Sequence, residues 1–241
     1  MLSYSMPCYP HILRLAALAV TVSSVCLGEV HADDLLATCD AADFTVEAET
    51  GPEAQAVCRV ILAALPQLQN CHLSVRNPVS ITVSDDLADA SARCLGYYQC
   101  DQSEIHIRSA QGMARAFDPE GVFGQVELDV FFESIVVHEL AHALFQQNAC
   151  VTGACSENHE YVAHAMQMAW LPDDQRALII DAYPVETPID PMLLNTFIAT
   201  MAPERYAALV WQHFNQPENG CAFIQRLLVG DVSLQLQLYP E

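Results

Sequence analysis

The chain has 241 residues, 52% hydrophobic and 16% charged, which is the composition of a folded globular protein and not of a disordered one. Thirty acidic residues stand against nine basic ones, all of them Arg, for a net charge of -21. Such acidity argues against nucleic acid and anionic membranes as partners, because both need a cationic surface, and it favours solubility through self-repulsion.

The first 32 residues read as a cleavable export signal. His11 and Arg14 precede an apolar run from Leu15 to Leu27, and Val30-His31-Ala32 places small residues where a signal peptidase needs them, just before Asp33-Asp34. The run is too short to span a bilayer comfortably, and no later apolar segment has spanning length. We place cleavage after Ala32 and expect residues 33–241 to form one exported domain, periplasmic or extracellular. Beyond the signal stand Cys39, Cys58, Cys71, Cys94, Cys100, Cys150, Cys155 and Cys221. An even number in an exported chain reads as up to four disulfides. Proximity suggests Cys94 with Cys100 and Cys150 with Cys155. No cysteines stand at zinc-finger spacing, so a cysteine metal site is not expected.

Phe44 to Glu49 alternates like a strand, and Gly51-Pro52 then opens an Ala/Leu-rich helix from about Glu53 to Leu68. Strand-like runs follow at His72 to Arg76, Val79 to Ser84 and Glu104 to Arg108. From Gln125 to Gln147 one long helix is apolar on most faces, which marks it as buried. The remainder reads as helical: Glu157 to Trp170, Asp173 to Ala182, Met192 to Met201, Ala202 to Asn215 and Gly220 to Leu228. Strands first and helices afterwards predict an α+β fold, with a small mixed sheet and the buried helix in 33–148 and a helical subdomain in 149–241.

Inside the buried helix lies Val137-His138-Glu139-Leu140-Ala141-His142. Two His at i and i+4 sit about 40° apart around a helix and about 6 Å along it, so both imidazoles can meet one metal ion. Glu139 is placed to reach a metal-bound water without being a ligand. Zinc lowers the pKa of such a water toward ~7, and the carboxylate takes its proton as it attacks a polarised carbonyl. Two imidazoles and a carboxylate are costly to bury in an apolar helix without partners, which favours a metal over satisfied core histidines.

On Ile135 to Leu144, the sequence resembles the zincin superfamily of zinc metallopeptidases. The resemblance implies a zincin-like fold, His138 and His142 as zinc ligands and Glu139 as general base. It also suggests Glu104–Arg108 as the sheet-edge strand that lies along the substrate cleft. Metzincins extend the motif to a Gly and a third His, but those positions here hold Phe145 and Asn148. A downstream G-T-x-D segment, the mark of the Asp-ligand branch, is also absent. Gluzincins take a Glu from a second helix, which points to Glu160. Glu160, His164 and Gln167 recur at i, i+4 and i+7 as a polar stripe facing either solvent or the metal helix. His164 then becomes a catalytic candidate, as a second-layer or substrate-contacting group. His159 and Glu157 are fallback ligands. An oxyanion donor could come from Tyr161, His164, Tyr183, Tyr206 or His213. His72 and His106 are expected to have no role.

The expected protein is therefore an exported, disulfide-stapled α+β metallopeptidase holding one zinc and acting on a peptide or protein substrate. The alternative is a catalytically silent metal-holding or binding protein on the same scaffold.

Overall fold

A computed structural model describes residues 36–39, 43–87, 94–99, 102–116, 118–149 and 157–234. The expected export signal, Cys100, Cys150 and Cys155 lie outside the described residues. Five strands form one mixed sheet: β1 (Leu36–Thr38), β2 (Phe44–Glu47), β3 (Val79–Ser84), β4 (Gly96–Gln99) and β5 (Glu104–Arg108). Their spatial order is β1-β2-β3-β5-β4. β2, β3 and β5 run parallel, while β1 and β4 are antiparallel edge strands on β2 and β5. Alternation divides the faces. Phe44, Val46, Val79, Ile81, Val83, Ile105 and Ile107 point into the core, whereas Thr45, Ser80, Thr82 and His106 line the outer face.

Helix α1 (Gly51–Asn70) is the crossover between β2 and β3. Thr50 caps it by accepting the Glu53 N–H at 3.3 Å, and Pro52 occupies the first turn, where a missing N–H costs nothing. Ala54, Val57, Ile61, Ala64 and Leu68 recur at helical spacing and are buried. Helix α2 (Ala110–Ala116) and a 3-10 turn at Phe123–Gln125 lead into α3 (Leu128–Asn148). α3 packs against α1, α2, β4 and β5, and against α4 (Glu157–Trp170), so its sides are covered by protein and its apolar girth is accounted for. Beyond α4 come α5 (Asp173–Ala182), α6 (Thr196–Met201), α7 (Pro203–Phe214) and α8 (Cys221–Leu228). α7 lies against α4, making a further helical layer. The fold is thus α+β, with a small mixed sheet.

Among the described residues there are two disulfides. Cys39–Cys58 ties the end of β1 to α1, and Cys71–Cys221 ties the end of α1 to the start of α8. The second closes 150 residues of chain, a constraint on the unfolded state of about 4–5 kcal/mol in the chain-entropy picture. Cys94 is a free thiol whose Sγ donates to the Gly96 carbonyl at 3.2 Å. Its expected partner, Cys100, lies outside the described residues. No helix among the described residues is long and apolar enough to cross a membrane.

Several expectations need correction. The run His72–Arg76 alternates but is not a strand, because its backbone bonds to side chains at the end of α3. Gln147 Oε1 accepts the N–H groups of Arg76 and Asn77 at 2.8 and 3.1 Å, and Asn148 Nδ2 donates to the Ser74 carbonyl at 2.6 Å. The helix expected over 192–201 is divided into a 3-10 turn at Pro191–Leu193 and α6, which Asn195 restarts by accepting the Ile198 N–H at 3.1 Å. β5 is not the edge of the sheet, since β4 folds back antiparallel and covers it.

Candidate metal and catalytic site

The sheet and α4 hold α3 between them, and His138, Glu139 and His142 lie on this buried helix at 9%, 4% and 8% exposure. The two imidazoles turn their Nε2 atoms toward each other, 3.2 Å apart. Donors about 2.0–2.1 Å from one tetrahedral zinc would stand roughly 3.3 Å apart, so the pair already has ligand spacing. α4 brings the stripe Glu160, His164 and Gln167 to the same place. Glu160 Oε1 lies 3.8 Å from His142 Nε2, and Glu160 Oε2 lies 3.8 Å from His164 Nε2. Ligating atoms of His138, Glu160 and His164 all fall within 4.8 Å of one another. Of the stripe, Gln167 and His164 are buried and Glu160 is partly accessible, so it faces α3 and not solvent.

Burial sets the protonation of the cluster. It pulls His138 down to about 4, helped by neighbouring His142, and His142 down to about 3, helped by His159. His164 is likewise held far below the ordinary imidazole value by burial, with His138 and His142 adding to it. All three are neutral near pH 7 and keep a lone pair for a cation. Burial, reinforced by the negative charge of Glu160, raises Glu139 well above the ordinary carboxylate range. Among the described residues, Glu139 Oε2, His164 Nδ1 and His159 Nδ1 are buried with no hydrogen-bond partner. Such orphans are expensive in a core, and a bound cation with its water is one way to satisfy groups of this kind. The donor set, two to three imidazoles and a carboxylate, suits zinc.

A cleft of about 280 Å³ opens onto the cluster, with Gly96, Tyr97 and Tyr98 of β4 on one side and His138, Glu139, His142 and Glu160 on the other. Gly96 lets the strand approach Glu139 closely. A Cβ at this position would stand 2.8 Å from Glu139 Oε1 and 3.0 Å from its Cγ, so a larger residue would have to push the Glu139 side chain from its place beside β4. A larger cavity of about 700 Å³ begins at Leu95 and reaches Phe123, Tyr183 and Glu204, but it contains none of the clustered histidines.

The sequence-level candidates separate on this geometry. His138, Glu139, His142, Glu160 and His164 are brought together. His159 is buried beside them, its ring stacked on that of His142 at 5.9 Å; neither of these two is among His138, Glu160 and His164, whose ligating atoms all lie within 4.8 Å of one another, and His142 joins the cluster through the 3.2 Å approach of its Nε2 to that of His138. The side chain of Glu157 lies outside the description. Of the oxyanion candidates, Tyr161 shares a 2.8 Å hydrogen bond with His213, Tyr183 donates to Glu204 at 2.9 Å, and Tyr206 donates to the Leu194 carbonyl at 3.3 Å. Their polar atoms are turned to other partners, which leaves His164 in the cluster. His72 is exposed in a turn, and His106 stacks on Tyr97, its ring centroid 4.8 Å away. Sequence reasoning missed Gly96, Tyr97 and Tyr98. The one available signal was a glycine beside two aromatics, a hint of close backbone approach.

No curated protein and no solved structure matches the chain. A family model described as a family of unknown function matches residues 44–237, which include all five strands except β1 and the whole cluster. The chain therefore belongs to that family, DUF6639.

Proposed function

We propose that the protein is an exported zinc-dependent hydrolase of peptide bonds with a zincin-like core. The observation that carries this reading is the 3.2 Å approach of His138 and His142 Nε2, with Glu160 beside them and Glu139 one residue away at the cleft wall. Zinc bound by His138, His142 and Glu160 would supply a Lewis acid that polarises a carbonyl and acidifies water. Glu139 would take the water's proton on its carboxylate and pass it to the leaving amine. Burial raises its proton affinity, and a nearby cation opposes that rise, so the two effects act in opposite directions on the base. Among the described residues β4 is an edge strand, and its course along the cleft suits an extended peptide added as a further strand. The contact at Gly96 keeps Glu139 close to where such a peptide would lie.

The test is turnover of a fluorogenic peptide library by wild type and by Glu139→Gln. The expected outcome is full zinc retention in the variant with rates about 10²–10⁴-fold lower. Equal turnover in both would contradict the reading.

A second reading, a metal-holding protein without turnover, draws on His164. With His164 as a fourth protein donor the coordination shell would be closed, which is the mark of structural zinc sites. Cobalt-substituted protein separates the two readings. A hydroxamate that changes the visible spectrum needs an open coordination position, and no change points to the closed shell.

A further inference from the structure

The His138 ring is tied to a chain of buried polar groups that runs away from the cluster. Its Nδ1 lies 3.0 Å from Gln167 Oε1, Gln167 Nε2 donates to Ser134 Oγ at 3.3 Å, and Ser134 Oγ donates to the Phe131 carbonyl at 2.7 Å. Ser134 and Gln167 are 0% and 1% exposed, so bulk solvent does not reach them.

Each link has one orientation. A carbonyl can only accept, so the Ser134 proton points at Phe131, and Ser134 Oγ is left to accept from Gln167. Turning the Gln167 amide round would set two oxygens 3.3 Å apart with no proton between them. The amide oxygen therefore faces His138, and of the two states of its Nδ1 only the protonated one can donate to that oxygen. The Nε2 of His138 then carries the lone pair, and that atom stands 3.2 Å from His142 Nε2.

We infer that Gln167 is a positioning residue: through Ser134 and Phe131 it locks His138 in the Nδ1–H tautomer and so presents the Nε2 lone pair to the cluster. The inference rests on the zinc reading for its consequence but not for its geometry. A neutral amide accepts this N–H where a carboxylate would make the imidazole a stronger donor, so Gln167 also sets how tightly a metal is held.

Two measurements test it on the full oxidised mature chain. The first is the long-range ¹H–¹⁵N correlation spectrum of the histidine rings in metal-stripped protein. Wild type and Gln167→Glu should show His138 protonated at Nδ1, and Gln167→Met, similar in size but unable to accept, should lose that preference. The second is zinc affinity by chelator competition. Gln167→Met should bind about 10–100-fold more weakly, and Gln167→Glu at least as tightly as wild type. His138 protonated at Nε2 in wild type, or an unchanged tautomer and affinity in Gln167→Met, would overturn the inference. Absence of zinc binding in wild type would overturn the proposed function instead, while the ring spectra would still decide the role of Gln167.

Discussion

Two buried polar groups flank α4, one around His213 and one around His138, His142, His159 and His164, and they differ in how their polar atoms are used. On the α7 side, Tyr161 and His213 share a 2.8 Å hydrogen bond, and the Asn219 amide donates to the His213 carbonyl at 2.8 Å. On the α3 side, two Nε2 atoms face each other at 3.2 Å, and Glu139 Oε2, His159 Nδ1 and His164 Nδ1 are buried without partners. Burial and depressed basicity are common to both, since His213 too is pulled down by desolvation. A buried histidine is thus weak evidence of chemistry. Unsatisfied donors and acceptors converging from two helices are stronger evidence than the single orphan among the described residues on the other side, Gln216 Nε2, because several such costs are concentrated at one point.

The contrast can be broken most forcefully by metal removal. Zinc present at a thousand times its dissociation constant would stabilise by about 4 kcal/mol, which for a domain of this size is roughly 8–16 °C in melting temperature. Chelation should produce that loss in wild type and in His213→Gln, but almost none in His142→Ala. An equal loss in all three would dissolve the distinction. Gly96→Ala comes next. The new methyl must displace the Glu139 carboxylate, and a misplacement of about 1 Å is expected to lower turnover on the order of 10²-fold while zinc stays bound. Unchanged turnover would separate Glu139 from the rate.

Tyr161→Phe tests the opposite cluster. Removing the hydroxyl leaves buried His213 Nδ1 without its partner, a cost of about 1–3 kcal/mol, with zinc content and turnover unaffected. A loss of zinc in this variant would merge the clusters. The smallest effect is on pH. Burial lowers His213 below its ordinary 6.5 in the folded protein, so as pH falls through that value the unfolded chain takes the proton first and stability declines. Above that range the group contributes nothing. His213→Gln should show a shallower loss of melting temperature between pH 7.5 and 5.5 than wild type, and equal slopes would contradict the assignment.

How much of this could be read from the chain varies with the range of the interactions. α3 and α4 were legible because their information is local: an apolar girth, an i, i+4 pair and a polar stripe at helical spacing. The α+β class followed from element order. β4 was invisible, since Gly-Tyr-Tyr-Gln has no alternation and its place at the edge depends on folding back over β5. The same fold-back moved the edge away from Glu104–Arg108. His72–Arg76 was misread because one-sided burial of Leu73 produces alternation even where the backbone is held by Gln147 and Asn148. Neither observed disulfide pairs sequence neighbours, and Cys71–Cys221 joins elements 150 residues apart. Gln167 was seen as part of a stripe, but its tie to His138 needs the packing of α4 on α3.

The most direct measurement is zinc per mole of oxidised mature protein, by elemental mass spectrometry, for wild type, His142→Ala and Glu160→Ala. One zinc in wild type, lost or much weakened in both variants, is the predicted result. Zinc absent from well-folded wild type after metal supplementation would contradict the account.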